Sequence, residues 1–276
     1  MVDLPAELVE AVVRREAVLF VGAGLSATLG VPTFSQLVDA MAGDVGFDPD
    51  LFKLHGDAPT LAEFVQHKLS TSEYSALISR LSRSFDRSDS KVRRSAAHRL
   101  IVNLDFPLIY TTNYDHLIES AFRVAGKPLK VIVTLEDLKG IDASKPQLIK
   151  YHGDFNLPET IVLTEASYFD RLQLDSPLDI RFRADVVGRP ILFVGYSLGD
   201  VNLRYFLYRL SALWRIAPKS APKSYLVVPQ HNPVQSEVMS TRGIETIVAD
   251  APTPAEGLRI VLTTLDRSVR LLRGAV

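Results

Sequence analysis

The sequence predicts an α/β fold: a Rossmann-like, doubly wound and mainly parallel sheet, with a helical insertion between the first and second strands. Three observations carry that reading. Short runs rich in β-branched residues recur at 17–21, 107–111, 130–134, 147–151, 191–194, 225–228 and 245–248. Most of these runs are apolar throughout, as strands buried on both faces are. Between them lie segments with helical spacing at 34–41, 114–124, 201–214 and 255–272, and strand alternating with helix builds a parallel sheet covered on both sides.

The chain of 276 residues suits one large domain, 1–276, in which 44–103 is the helical insertion and 251–276 the C-terminal helix. Apolar residues make up 47% and charged residues 23%, enough for an extensive core. With 31 basic and 32 acidic side chains, the summed field offers no general attraction to nucleic acid or to an anionic membrane. No cysteine is present, which excludes disulfides, cysteine nucleophiles and thiolate-bound zinc. The N-terminus has neither a basic start nor an apolar run of signal-peptide type, and no apolar stretch reaches the roughly 20 residues that span a bilayer, so a cytoplasmic protein is expected.

The first strand, 17–21, runs into Gly22, Ala23, Gly24, Leu25 and Ser26, followed by Gly30, Val31, Pro32, Thr33 and Phe34. Two glycines allow a tight turn and close backbone approach to a pyrophosphate. A third glycine at the dinucleotide-fingerprint spacing is missing, so the turn alone also fits a ligand-free strand-to-helix connection. The insertion then interrupts the rhythm, with helical patterns at 60–69 and 72–85 and a basic, serine-rich segment at 80–99. That segment reads as a solvated helix face or as a partner or nucleic-acid surface. The second strand ends at Thr111, Thr112, Asn113, Tyr114 and Asp115. The fourth ends at Lys150, Tyr151, His152, Gly153 and Asp154, and the fifth at Gly195, Tyr196, Ser197, Leu198, Gly199 and Asp200. Polar groups at four carboxyl ends of a parallel sheet converge on its ligand crevice. His98 and His116 lie inside helical patterns and read as structural.

This set resembles the sirtuin superfamily, and more closely its bacterial SIR2-like branch, many members of which are NAD hydrolases of anti-phage defence. The residues that carry the resemblance are Gly22 to Ser26 with Gly30 to Phe34, Thr111 to Asp115, His152 to Asp154 and Gly195 to Asp200; Leu163 to Tyr168 also looks like a segment of that branch. The resemblance implies that Ala23, Gly24 and Ser26 meet the phosphates, with Gly22 also in the cofactor-binding set, and that Phe34 covers the nicotinamide ribose. Asn113 and Asp115, with Thr112 beside them, would hold ribose and nicotinamide, and Gly195 and Ser197 the adenosine half. Asn113 and His152 would be catalytic, His152 as the general base. Thr33 and Ser35 stand where protein deacylases carry an acid and a basic residue, and 156–190 offers no four-cysteine zinc module.

The expected activity is cleavage of the nicotinamide-ribose bond of NAD to nicotinamide and ADP-ribose, with NAD as substrate and no metal. Two other readings stand beside it: an enzyme that transfers ADP-ribose or an acyl group, and a non-catalytic module that senses NAD or ADP-ribose. Free hydrolysis of NAD would kill the host, so the resemblance implies a homo-oligomer or a separately encoded partner, a HerA-like ATPase or a short Argonaute-type protein.

Overall fold

A computed structural model describes residues 2–196, 201–215 and 221–274. Its seven strands are β1 (Val18–Val21), β2 (Leu108–Thr111), β3 (Lys130–Ile132), β4 (Gln147–Lys150), β5 (Ile191–Val194), β6 (Ser224–Val228) and β7 (Ile244–Val248). They form one sheet in the order β3-β4-β2-β1-β5-β6-β7, and every pairing is parallel. Each strand falls where the apolar runs place it. β3 stops at Ile132 because the Asp137 carboxylate accepts the Val133 and Thr134 amides at 3.0 and 2.9 Å, which turns the chain out of the sheet.

The chain moves to one side of β1 through β2, β3 and β4, then crosses to the other through β5, β6 and β7. Such a reversal leaves a crevice outside the carboxyl ends of the strands. Both faces are covered, which is why β1 and β5 are apolar at every position. Leu19, Val21, Ile109, Leu148 and Val194 face one core with the helices Ala6–Val13, Ala96–Leu104, Leu117–Val124 and Pro254–Gly274. Phe20, Tyr110, Ile149 and Phe193 face the other, against the helices Pro177–Val186 and Val201–Trp214.

The segment between β1 and β2 is helical, as expected, and includes Ala58–Lys68 and Thr71–Phe85. The latter starts on a capping box in which Ser70 and Glu73 satisfy each other's backbone amides. Further helices not expected from periodicity include Ala6–Val13, Glu165–Leu172, Pro177–Val186 and Pro233–Ser240. They run 8 to 10 residues, too short for a clear repeat. Local signals were present, since Ser176 caps Pro177–Val186 in a second capping box with Asp179. The helix expected from 114 begins instead at Leu117, because the Asp115 carboxylate accepts the Leu117 amide and holds the preceding residues in a turn. Among the described residues, no helix is long and apolar enough to cross a membrane.

Phe182 centres the second core, with ring centroids of Tyr110, Tyr151, Phe20 and Phe206 at 4.5, 5.4, 5.6 and 4.4 Å. It is fully buried, so Phe182→Ala leaves a cavity that the sheet cannot close. We expect a loss of about 3–5 kcal/mol in urea unfolding.

Candidate active site

The four central strands are aligned at their ends. Val194 pairs with Val21, Val21 with Thr111 and Thr111 with Lys150, so the loops after β5, β1, β2 and β4 leave the sheet at one level. Asn113 and His152 each lie two residues beyond that line on neighbouring strands, and the Tyr151 amide donates to the Thr111 carbonyl at 2.8 Å.

The glycine loops after β1 and β5 are packed on each other. The Gly22 amide donates to the Val194 carbonyl at 3.0 Å, and that of Gly24 to the Gly195 carbonyl at 2.8 Å. Gly195 has φ +60°, and a Cβ there would stand 2.5 Å from the Leu25 nitrogen. A Cβ on Gly24 would stand 2.8 Å from the Gly195 Cα. These glycines are therefore demanded by contact between two loops, and the Gly24 amide is already engaged. Ser197, expected beside Gly195, lies outside the described residues.

Asn113 is held by short-range bonds. Its backbone amide donates to Thr111 Oγ1 at 3.0 Å, and its Nδ2 donates to the Gly22 carbonyl at 3.2 Å and to Ser26 Oγ at 3.0 Å. Ser26 Oγ donates to Asp115 Oδ2 at 2.7 Å, while Asp115 Oδ1 accepts the Leu117 amide at 3.0 Å. Ser26 and Asp115 are 1% and 5% exposed, so both act here as an internal brace for the amide. This differs from the expectation that Ser26 meets phosphate. A hydroxyl placed between an amide donor and a carboxylate acceptor completes a relay and is withdrawn from the surface.

His152 is 2% exposed. Its ring stacks on Tyr151 with centroids 5.7 Å apart and meets Tyr168 edge-on at 5.5 Å. Tyr168 in turn lies 6.4 Å from Phe34. The Tyr151 carbonyl is held by Arg171 at 2.9 Å, and Gly153, at φ +92°, leaves no room for a Cβ against the Thr160 carbonyl. Ala23, Gly24, Phe34, Thr112, Gly195 and Tyr168 are partly exposed and form the rim above the buried Asn113 and His152.

Two residues at this edge had no assigned role in the sequence reading. Tyr168 joins Phe34 to His152; its only signal was the Leu163 to Tyr168 segment. Lys150 is the other, a charged residue closing an otherwise buried strand, with 0% exposure. Its Nζ lies 2.6 Å from Asp154 Oδ2 and 3.2 Å from Glu119 Oε1. His116, Glu119 and Asp154 have ligand atoms close enough to share a metal ion, but the lysine ammonium already pairs with both carboxylates. His116 directly precedes the helix Leu117–Val124, and its Nε2 meets Asp154 Oδ1 at 2.7 Å.

The basic segment 80–99 is partly consumed by the fold. Arg80 pairs with Asp44, and Arg87 donates to the carbonyls of Leu29 and Gly30, tying the insertion to the stretch after the glycine turn. Lys91 and Arg94 instead line an open cavity of about 590 Å³ with Thr28, Thr253 and Arg259, away from Asn113 and His152.

The bond to Asp154 raises the His116 pKa above that of free histidine, whereas burial pushes the His98 imidazole down to about 4. Burial pushes the Asp154 carboxyl up, but His116 and Lys150 outweigh it and hold it at about 2. The stabilisation from Asp154 is complete above its unfolded value of about 3.9 and is lost as pH falls through about 2. That from His116 is complete below about 6.5 and is lost as pH rises through its elevated folded value.

A family model described as a SIR2-like domain matches residues 107–247, just over half of the chain. The NAD(+) hydrolase ThsA of Bacillus cereus is 28% identical over 206 residues, 74% of this chain and 41% of that protein. Defense-associated sirtuin 2 of Bacillus subtilis is 26% identical over 246 residues, 87% of this chain and 23% of that protein. The chain thus spans about two fifths or less of the length of these curated relatives. A solved Sir2 homologue mutant bound to ADP-ribose aligns over 98% of each chain at 14% identity and a TM-score of 0.48.

Two expected outcomes follow from this geometry. Gly195→Ala lowers the unfolding free energy by about 3 kcal/mol, against about 1 kcal/mol for Gly126→Ala, since both have positive φ but only the first meets backbone; urea denaturation compares them. In an NMR titration, His116 has its midpoint above about 6.5, and His98 shows no transition between roughly pH 6 and 9, as follows from its value of about 4.

Proposed function

The chain belongs to the SIR2-like domain family, and from that membership and the common level of four loops at one sheet edge we propose that it binds NAD and hydrolyses the nicotinamide-ribose bond. The observation that carries the reading is the single level at which four loops leave the sheet, bringing the glycine turns, Asn113, His152, Phe34 and Tyr168 to one edge. Relatives named as NAD(+) hydrolases over most of this chain's length support it.

The pyrophosphate lies along the rim at Ala23, Gly24 and Gly195, with the adenosine half toward Gly195 and Ser197. The nicotinamide ribose lies under Phe34 near Thr112, Asn113 and Asp115. Asn113 and His152 are nearly buried, so NAD reaches them as Phe34 and Tyr168 move from the rim. The bond from C1′ to the pyridinium nitrogen breaks with its electron pair passing to nicotinamide, which leaves as a neutral molecule and needs no acid. The oxocarbenium-like ribose is then captured by water. Asn113, preset by Gly22 and Ser26, orients the ribose and that water, and His152 accepts the proton that the water or a ribose hydroxyl gives up. The products are nicotinamide, ADP-ribose and one proton.

Unrestrained loss of NAD is lethal, so the activity belongs to a regulated defence effector, held in check by self-association or by a separately encoded partner. The test incubates the protein with NAD at several protein concentrations and follows nicotinamide and ADP-ribose by chromatography. We expect both products in equal amounts, with at least a hundredfold loss in Asn113→Ala and in His152→Ala. A rate per molecule that falls with concentration indicates restraint by self-association. Full activity in both variants refutes their roles; bound but intact NAD points to a sensor, and turnover only with an acceptor to a transferase.

A further inference from the structure

We propose that Lys150 is a positioning residue for the reaction set out above, its ammonium fastening the loop that carries Asn113 to the loop that carries His152. This rests on the hydrolase reading and goes beyond it, because neither the glycine turns nor the two assigned residues explain a fully buried lysine at this edge. Lys150 closes β4, directly opposite Thr111 of β2, and beyond that pair the two strands separate into their loops. Its Nζ donates to the carbonyls of Tyr114 and Asp115 at 3.0 and 2.7 Å. On the other side it pairs with Asp154, two residues after His152, at 2.6 Å, and it reaches Glu119 of the helix Leu117–Val124 at 3.2 Å.

The chemistry of an ammonium suits this task. Three donors radiating from one nitrogen can bind carbonyls and carboxylates from separate segments at once, which a hydrophobic side chain cannot do. The turn at Tyr114 and Asp115 needs such a donor, because it precedes the helix. Asp154 is also gripped by His116 and by the Asn156 amide at 2.7 Å, so the cation pulls on a carboxylate that cannot swing away. The ammonium thus shares in setting the separation of Asn113 from His152, beside the His116–Asp154 bond and the Phe155 amide, which donates to the Tyr114 carbonyl at 3.4 Å. Catalytic groups held off by a fraction of an ångström lose most of their effect while nucleotide binding at a distant rim persists.

The test pairs Lys150→Met with Glu119→Gln, so that Glu119 is not left as a buried unpaired charge, and uses Glu119→Gln alone as the control. Four quantities are read: thermal unfolding, ADP-ribose affinity by calorimetry, kcat and KM for NAD, and the His116 NMR titration. We expect a folded protein with ADP-ribose affinity and KM within about threefold of the control, and kcat at least tenfold lower. The His116 midpoint moves to higher pH, because the neighbouring positive charge that opposes its protonation is gone.

A folded double variant with kcat within about twofold of the control overturns the proposal. So does an equal loss of kcat and ADP-ribose affinity, which makes the lysine a support for the whole site. Should the double variant not fold, Lys150→Arg keeps the charge but displaces it; reduced kcat at unchanged ADP-ribose affinity supports the tether, and wild-type kcat overturns it. A wild-type protein that releases no nicotinamide sinks the hydrolase reading by itself. The tether is then judged on the His152 ring resonances, which shift in the double variant if Lys150 sets the ring position and stay in place if it does not.

Discussion

The architecture depends on one constraint, the in-register parallel pairing of β5, β1, β2 and β4. Their last residues, Val194, Val21, Thr111 and Lys150, lie on a line across the sheet. Neighbouring strands are about 4.8 Å apart, so four loops start within roughly 15 Å of one another at a common height. Short connections suffice to form an extended crevice. A slip of one residue in any of these strands would turn its apolar set toward the wrong core and displace its loop from the line.

The loops are then fixed to each other by polar and backbone contacts. Between β1 and β5 the contact is backbone against backbone, with Gly24 bonded to Gly195. Between β1 and β2 it is the relay from Asn113 through Ser26 to Asp115. Between β2 and β4 it is the ammonium of Lys150 together with the His116–Asp154 bond. Each junction uses the group that its separation allows: no side chain where backbones touch, a hydroxyl where two polar groups stand one atom apart, and a long cationic side chain where the strands have begun to diverge. Several residues with the look of ligand contacts therefore do structural work, and the half-buried residues at this edge are left free of it.

The insertion between β1 and β2 contributes to the same end of the molecule. Arg87 binds the carbonyls just after the helix that follows the glycine turn, and the Ser95 hydroxyl bonds the His98 imidazole, which burial keeps neutral near pH 7. On the opposite side of the sheet, Arg171 grips the carbonyl preceding His152 while its guanidinium covers the Tyr151 ring at 4.2 Å. The site is thus supported from both layers, by charge on one side and by aromatic packing on the other.

The sequence by itself determined the strands, their parallel arrangement and the edge at which the polar residues gather. A strand buried on both faces is apolar along most of its length, and polar residues such as Asn113 and His152 immediately after such runs lie at its carboxyl end. The longer helices were legible for the same reason, through their periodicity. The short ones at Glu165–Leu172 and Pro177–Val186 were not, since eight or ten residues leave packing to decide. What only the tertiary structure decided is who touches whom across that edge. Hydrogen bonds between Ser26 and Asp115, 89 residues apart, or between Lys150 and the Tyr114 carbonyl, 36 residues apart, leave no trace in local pattern. They arise because the sheet brings separate strand ends to one level, where buried polar groups must find partners or destabilise the fold.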